Sequence, residues 1–108
     1  MRRTIKLAAS TALALTSSPL VAQENEVRTG LLTAERLCAE CHAVRLGDLR
    51  SPRSSAPTFA AIATVPGMTS AALRVALNTS HRTMPNVMLE PGQLDAIVAY
   101  ILSLKQPG

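Results

Sequence analysis

The sequence predicts one small domain of the all-α class. The clearest observation lies near the carboxyl end, where apolar residues recur at i, i+3, i+4 and i+7, the spacing of one helix face: Leu94, Ile97, Val98 and Ile101. We expect this helix to have Pro91 in its first turn and to end near Leu104. No segment shows a sustained strand alternation or an internal repeat. The length of 108 residues excludes a doubly wound nucleotide-binding architecture or a barrel.

Local signals predict the remaining elements. Residues 29–37 place apolar side chains on one face of a helix. Residues 45–58 are rich in Ser, Pro and Arg without an apolar period, which predicts a surface loop. Thr69 can cap a further helix over residues 71–78, because its hydroxyl can accept a hydrogen bond from the first helical turn.

The amino-terminal residues 1–22 have the pattern of a secretory signal peptide. Arg2, Arg3 and Lys6 give a positively charged start, and a mostly apolar run over residues 7–15 follows. This run is about half the length of a membrane-spanning helix. We therefore expect export and cleavage after Ala22, with an uncleaved anchor as the alternative.

Cleavage would leave a domain of residues 23–108 and would change the charge balance. The whole chain carries a net charge of +4, whereas the mature part has eight Lys and Arg against seven Asp and Glu, a net charge of +1. It has no basic cluster interleaved with aromatic residues, the pattern that single-stranded nucleic acids would favour. We expect no nucleic-acid partner and no stable membrane insertion after cleavage.

The mature domain is poor in large side chains. Phe59 and Tyr100 are its only aromatic residues. Domains this small often depend on disulfides, a metal or a cofactor to fold. A large apolar cofactor would supply the missing core volume.

The two cysteines indicate which cofactor. Cys38 and Cys41 precede His42 directly in the pattern C-A-E-C-H. In an exported chain, C-x-x-C-H is the attachment signature of a c-type haem, with two thiols for the vinyl groups and a histidine for the iron. Cysteines three apart on a helical turn point to the same side. We predict one haem c, covalently attached through Cys38 and Cys41 and ligated by His42.

Other uses of this motif fit the sequence less well. A thioredoxin-like redox pair would need a βαβ context, which is not visible here. A structural zinc site would need more ligands than His81 can add. A plain disulfide between Cys38 and Cys41 stays possible in an oxidising compartment.

A six-coordinate haem iron needs a second axial ligand, commonly Met or His in electron carriers. Met84 is the first candidate, because Pro85 holds the preceding residue in an extended conformation and so presents its side chain from a loop. Met88 is the second candidate and Met68 lies early in the chain, whereas His81 has the neighbours of an exposed loop histidine.

The chain resembles the small bacterial monohaem class I cytochromes c over most of residues 27–104. Gly30 matches the family's small residue at the crossing of the first and last helices, and Tyr100 resembles the aromatic residue that packs there. Residues 83–86 resemble the distal ligand loop. The resemblance implies a class I cytochrome c fold, in which a few helices wrap around one covalently bound haem.

The resemblance also implies a role for Pro57. Residues 56–59 are similar to the family's segment in which a proline carbonyl accepts a hydrogen bond from the proximal histidine. Such a bond would orient His42 and increase its donation to iron.

These features predict a monomeric, non-enzymatic electron-transfer protein of the bacterial periplasm. Iron would change between its ferric and ferrous states with His42 and Met84 retained. The expected partners are redox proteins, a dehydrogenase as donor and an oxidase or reductase as acceptor, which Arg45, Arg50 and Arg53 would help to orient. Two alternatives keep the haem: a subunit of a larger dehydrogenase complex, and a peroxidase or gas-binding protein with a labile sixth ligand.

Overall fold

The computed structural model describes residues 4–15, 18–79 and 82–105. Within these residues the chain is all-α, with helices and turns but no β-sheet, as the sequence predicts. The four helices are α1 (Pro19–Leu37), α2 (Phe59–Ala63), α3 (Ser70–Asn78) and α4 (Pro91–Ser103).

Helix α1 begins ten residues earlier than its apolar face predicts. Pro19 occupies the first turn, where a missing N–H costs nothing, and Ala, Gln and Glu residues that favour helices follow it. The helix thus runs through the predicted cleavage point at Ala22. Residues 4–15 are exposed throughout and form no helix, and Arg2 and Arg3 lie outside the described residues. In the described part of the chain, no helix is both long and apolar enough to cross a membrane.

Helices α1 and α4 form the most extensive contact in the fold, and they cross at Gly30. A Cβ atom at this position would lie 2.0 Å from the carbonyl oxygen of Ala96 and 2.6 Å from Cβ of Tyr100. No side chain fits in that space, so the close crossing requires glycine. The predicted role of Gly30 and the packing of Tyr100 beside it are therefore confirmed.

The core lies between this helix pair and the shorter helices. Ile97 is fully buried, and Phe59 from α2 and Leu73 from α3 pack against the same cluster. The buried hydroxyl of Tyr100 donates a hydrogen bond to the carbonyl of Val44 at 2.5 Å. This bond fastens the segment that follows the cysteine motif to helix α4.

Threonine side chains cap the amino-terminal ends of both short helices, α2 and α3. The Thr69 hydroxyl accepts a hydrogen bond from the Ala72 N–H at 3.2 Å, which confirms the predicted cap of α3. The Thr58 hydroxyl accepts one from the Ala61 N–H at 3.0 Å and starts α2. The sequence did not predict α2, because its five residues are too few for a helical period.

Candidate haem site

A cavity of about 440 Å³ opens between the cysteine motif and helices α2, α3 and α4. Its apolar wall includes the buried side chains of Phe59, Leu73 and Ile101. The residues that the sequence singles out for cofactor binding all line it: Cys38, Cys41, His42, Pro57 and Met84. The structure therefore brings together residues that are up to 46 positions apart in the chain.

The cysteine motif continues α1 by one turn. The Cys38 N–H donates to the Ala34 carbonyl at 2.8 Å, and the carbonyl of Cys38 accepts from the N–H groups of Cys41 at 3.2 Å and His42 at 2.9 Å. This turn places both thiols on the cavity wall. Both are free, and burial raises the pKa of the Cys38 thiol to about 11.

The imidazole of His42 is held by a hydrogen bond to the Pro57 carbonyl oxygen. The distance from Nδ1 of His42 to this oxygen is 2.6 Å. Because a carbonyl oxygen can only accept, Nδ1 carries a proton, and in the neutral imidazole the lone pair is on Nε2. The Phe59 ring packs beside the imidazole, with the ring centroids 5.5 Å apart. In this tautomer, Nε2 of His42 is the ring nitrogen that could coordinate a metal ion.

Two hydrogen bonds of the Ala43 backbone hold the loop that carries Pro57 against the motif. Phe59 lies two residues after Pro57, and Ala43 lies one residue after His42. The Phe59 N–H donates to the Ala43 carbonyl at 2.9 Å. The Ala43 N–H donates to the Ser51 hydroxyl at 3.0 Å. Neither bond has a local sequence signal, because each joins residues at least eight positions apart.

The three methionines that follow the motif differ in position. Met84 is half-buried and lines the cavity, as does Met68. Met88 is 91% exposed and does not line it. The cavity thus favours Met84 and Met68 over Met88 as a sulfur donor. His81 lies outside the described residues.

The donor set fits a c-type haem. Two thiols, the imidazole of His42 and two thioethers, those of Met68 and Met84, belong to residues that line one cavity, and its wall is mostly apolar like the porphyrin surface. Among the described residues, Arg53 also lines it.

A small all-α domain with a Cys-x-x-Cys-His turn beside an apolar cavity defines the class of c-type haem proteins. The chain is similar to cytochrome c-552 of Bradyrhizobium diazoefficiens, at 34% identity over 93 residues, which cover 86% of this chain and 88% of that protein. No family model and no solved structure gave a significant match. The chain belongs to the small bacterial cytochromes c, which are haem-based electron-transfer proteins.

Proposed function

We propose that this protein carries one electron on a haem attached through Cys38 and Cys41, with His42 and Met84 as axial ligands. The observation that supports this most is the 2.6 Å hydrogen bond from Nδ1 of His42 to the Pro57 carbonyl. Because this bond uses Nδ1, Nε2 is the nitrogen that can coordinate the iron. The two cysteines and Met84 line the same cavity.

The polypeptide would hold the cofactor by covalent and coordinate bonds. When bound, the haem supplies an iron that accepts and releases one electron. The Pro57 carbonyl holds the imidazole of His42 in one orientation and increases its basicity. Pro85 fixes the extended backbone of Met84, whose soft thioether favours the ferrous iron and a higher potential than two histidines would give.

The cavity wall would keep water away from the cofactor. Phe59 is 4% exposed, Leu73 is 2% exposed and Ile101 is 2% exposed. A dry, apolar wall disfavours additional positive charge, so it acts in the same direction as Met84. A site with both axial positions filled by protein makes and breaks no substrate bond, and we therefore propose a carrier rather than an enzyme.

Export to the periplasm is part of this proposal. It is supported by the charged and apolar pattern of residues 1–22 and by a cysteine motif that takes haem outside the cytoplasm. We propose a monomer that binds its redox partners weakly and briefly at the cavity mouth, since a carrier must release each partner. Fractionation of cells that express the whole chain should recover the haem protein in the periplasm, shortened at its amino terminus.

The test is the optical spectrum of the purified holoprotein. Pyridine haemochrome should show one covalent haem, and the ferric form should show the sulfur-to-iron band at the red edge. Met84→Ala should abolish this band and allow rapid carbon monoxide binding. Met88→Ala is the matched control and should keep the band, because Met88 is 91% exposed.

Other outcomes would contradict separate parts of the proposal. Loss of the band in Met68→Ala with retention in Met84→Ala would transfer the axial role to Met68. A high-spin wild-type protein that binds carbon monoxide rapidly would instead indicate a peroxidase or a gas-binding protein. Absence of covalent haem would overturn the proposal altogether.

A further inference from the structure

The loop of residues 51–59 is bonded to the two residues that flank His42. The Arg53 N–H donates a hydrogen bond to the Cys41 carbonyl at 3.1 Å, one residue before the histidine. The Ala43 N–H, one residue after it, donates to the Ser51 hydroxyl at 3.0 Å. The Ser51 side chain therefore binds the peptide group that joins His42 to Ala43.

The same loop supplies the carbonyl that binds the imidazole. Six residues after Ser51, the Pro57 carbonyl oxygen lies 2.6 Å from Nδ1 of His42. Two residues further on, the Phe59 N–H donates to the Ala43 carbonyl at 2.9 Å. Ala43 is thus bonded to the loop on both sides of Pro57. These bonds determine how closely the Pro57 carbonyl approaches the imidazole.

The Ser51 bond depends on the identity of a side chain. Among the described residues, the other bonds from this loop to the backbone of residues 41–43 are made by backbone N–H groups, which most substitutions keep. Removal of the Ser51 hydroxyl would instead take this acceptor away from the Ala43 N–H. Ser51 is half-buried. It precedes Pro52, which restricts it to extended conformations and so presents its side chain from the loop.

We infer that Ser51 is a positioning residue for His42, and that its hydroxyl keeps the bond from Nδ1 to the Pro57 carbonyl short. The inference rests on the proposed function, in which His42 is an axial ligand of a haem iron. A short bond to a carbonyl makes the imidazole more basic, which increases its donation to iron and favours the ferric state. Loss of the Ser51 hydroxyl lengthens this bond, so it weakens the donation and raises the reduction potential.

The experiment compares the holoproteins of the wild type, Ser51→Ala, Ser51→Thr, Ser51→Val and Ser54→Ala. Spectroelectrochemical titration gives the midpoint potential. Nuclear magnetic resonance of the ferrous form gives the chemical shift of the Nδ1 proton of His42 and the rate at which this proton exchanges with water. Ser54→Ala is the matched control, because Ser54 is an exposed serine of the same loop and does not line the cavity.

Ser51→Ala should raise the midpoint potential, move the Nδ1 proton signal upfield and make this proton exchange faster than in the wild type. We expect the equilibrium constant for electron exchange with a one-electron mediator to change by up to about tenfold, which corresponds to about 59 mV. This is the lower end of the effect of losing a direct hydrogen-bond partner of a metal ligand. Ser54→Ala should keep the wild-type values.

The pair of Ser51→Thr and Ser51→Val tests the hydroxyl at constant shape. Threonine keeps the hydroxyl, and the extended backbone before Pro52 suits a β-branched side chain, so this variant should keep the wild-type values. Valine has the same shape without the hydroxyl and should shift both measurements as Ser51→Ala does. This comparison decides the role of Ser51 even where Ser51→Ala yields little folded protein.

Equal potentials and equal Nδ1 proton exchange for Ser51→Ala, Ser51→Val and Ser54→Ala, with covalent haem and the sulfur band present, would overturn the role of Ser51 and leave the proposed function intact. A lower denaturation midpoint without either shift would also overturn it, because the hydroxyl would then stabilise the loop without positioning His42. Failure to find covalent haem in the wild type would overturn both the inference and the proposed function.

Discussion

At the scale of single residues, Tyr100 joins helix α4 to the segment after the cysteine motif and to helix α2. Its side chain is 5% exposed, its ring packs 6.4 Å from that of Phe59, and its hydroxyl donates to the Val44 carbonyl. Phe59 in turn contacts the His42 imidazole. One side chain of the last helix thus supports both the backbone after the motif and the Phe59 ring beside His42.

Replacement of Tyr100 by Phe should leave the buried Val44 carbonyl without its donor. We expect a loss of ~1–3 kcal/mol in the free energy of unfolding, the cost of an unpaired buried polar group. Ser103→Ala is the control, because the hydroxyl of this exposed residue donates to the Tyr100 carbonyl in a part-buried bond, and its loss should cost less. Guanidinium denaturation of the two holoprotein variants measures their free energies of unfolding. Equal midpoints for the two variants would contradict the prediction.

The burial of Tyr100 also predicts that the folded protein loses stability at alkaline pH. Burial raises the pKa of Tyr100 above its ordinary value of 10.0, with Arg45 lowering it and Glu35 and Asp48 raising it. The folded protein therefore holds this proton more tightly than the unfolded chain, and its contribution to stability disappears as the pH rises above that ordinary value. Unfolding free energies from about pH 8 to about pH 11 should fall more steeply for the wild type than for Tyr100→Phe.

At the scale of elements, the crossing of α1 and α4 depends on one missing side chain. Gly30→Ala would place a Cβ atom 2.0 Å from a backbone oxygen of α4, which cannot rotate away. The helices must separate, and overpacking of this kind costs ~1–3 kcal/mol. Denaturation of the holoprotein should show a lower midpoint.

Gly92→Ala provides the matched control for Gly30→Ala. It lies in the first turn of α4, where a Cβ atom meets nothing within 4 Å. Alanine should be neutral or stabilise this helix by up to ~1 kcal/mol, because it loses less backbone entropy on folding. Similar midpoints for the two variants would show that the crossing is loose at Gly30.

At the scale of the whole molecule, the sequence predicts those features whose residues are close together in the chain or follow a local pattern. The cysteines and His42 lie within five positions, and the Thr69 cap and the apolar face of α4 are local patterns. The Tyr100 bond to Val44 spans 56 positions and has no such signal. The short helix α2 and the early start of α1 were missed because tertiary packing and propensity, not an apolar period, determine them.

The architecture also predicts which part of the molecule depends on the cofactor. Helices α1 and α4 contact each other directly at Gly30, whereas α2 and α3 face the cavity with Phe59 and Leu73. Phe59 and Leu73 are already buried, but other apolar side chains of the wall, such as Ile62 and Leu77, are only half-buried. A cofactor would cover this remaining apolar surface, which an open cavity leaves in contact with water.

Cys38→Ser combined with Cys41→Ser should therefore remove covalent haem and most of the helical circular dichroism signal, since a small domain has little other core to rely on. Amide hydrogen exchange should show that α3 loses protection before α1 and α4, because a helix pair with its own close contact opens last. Glu40→Gln, within the same motif, is the control and should keep both haem and protection. A haem-free double variant with full helical signal and uniform protection would mean that the polypeptide closes the cavity without the cofactor, and that the scarcity of aromatic residues has another cause.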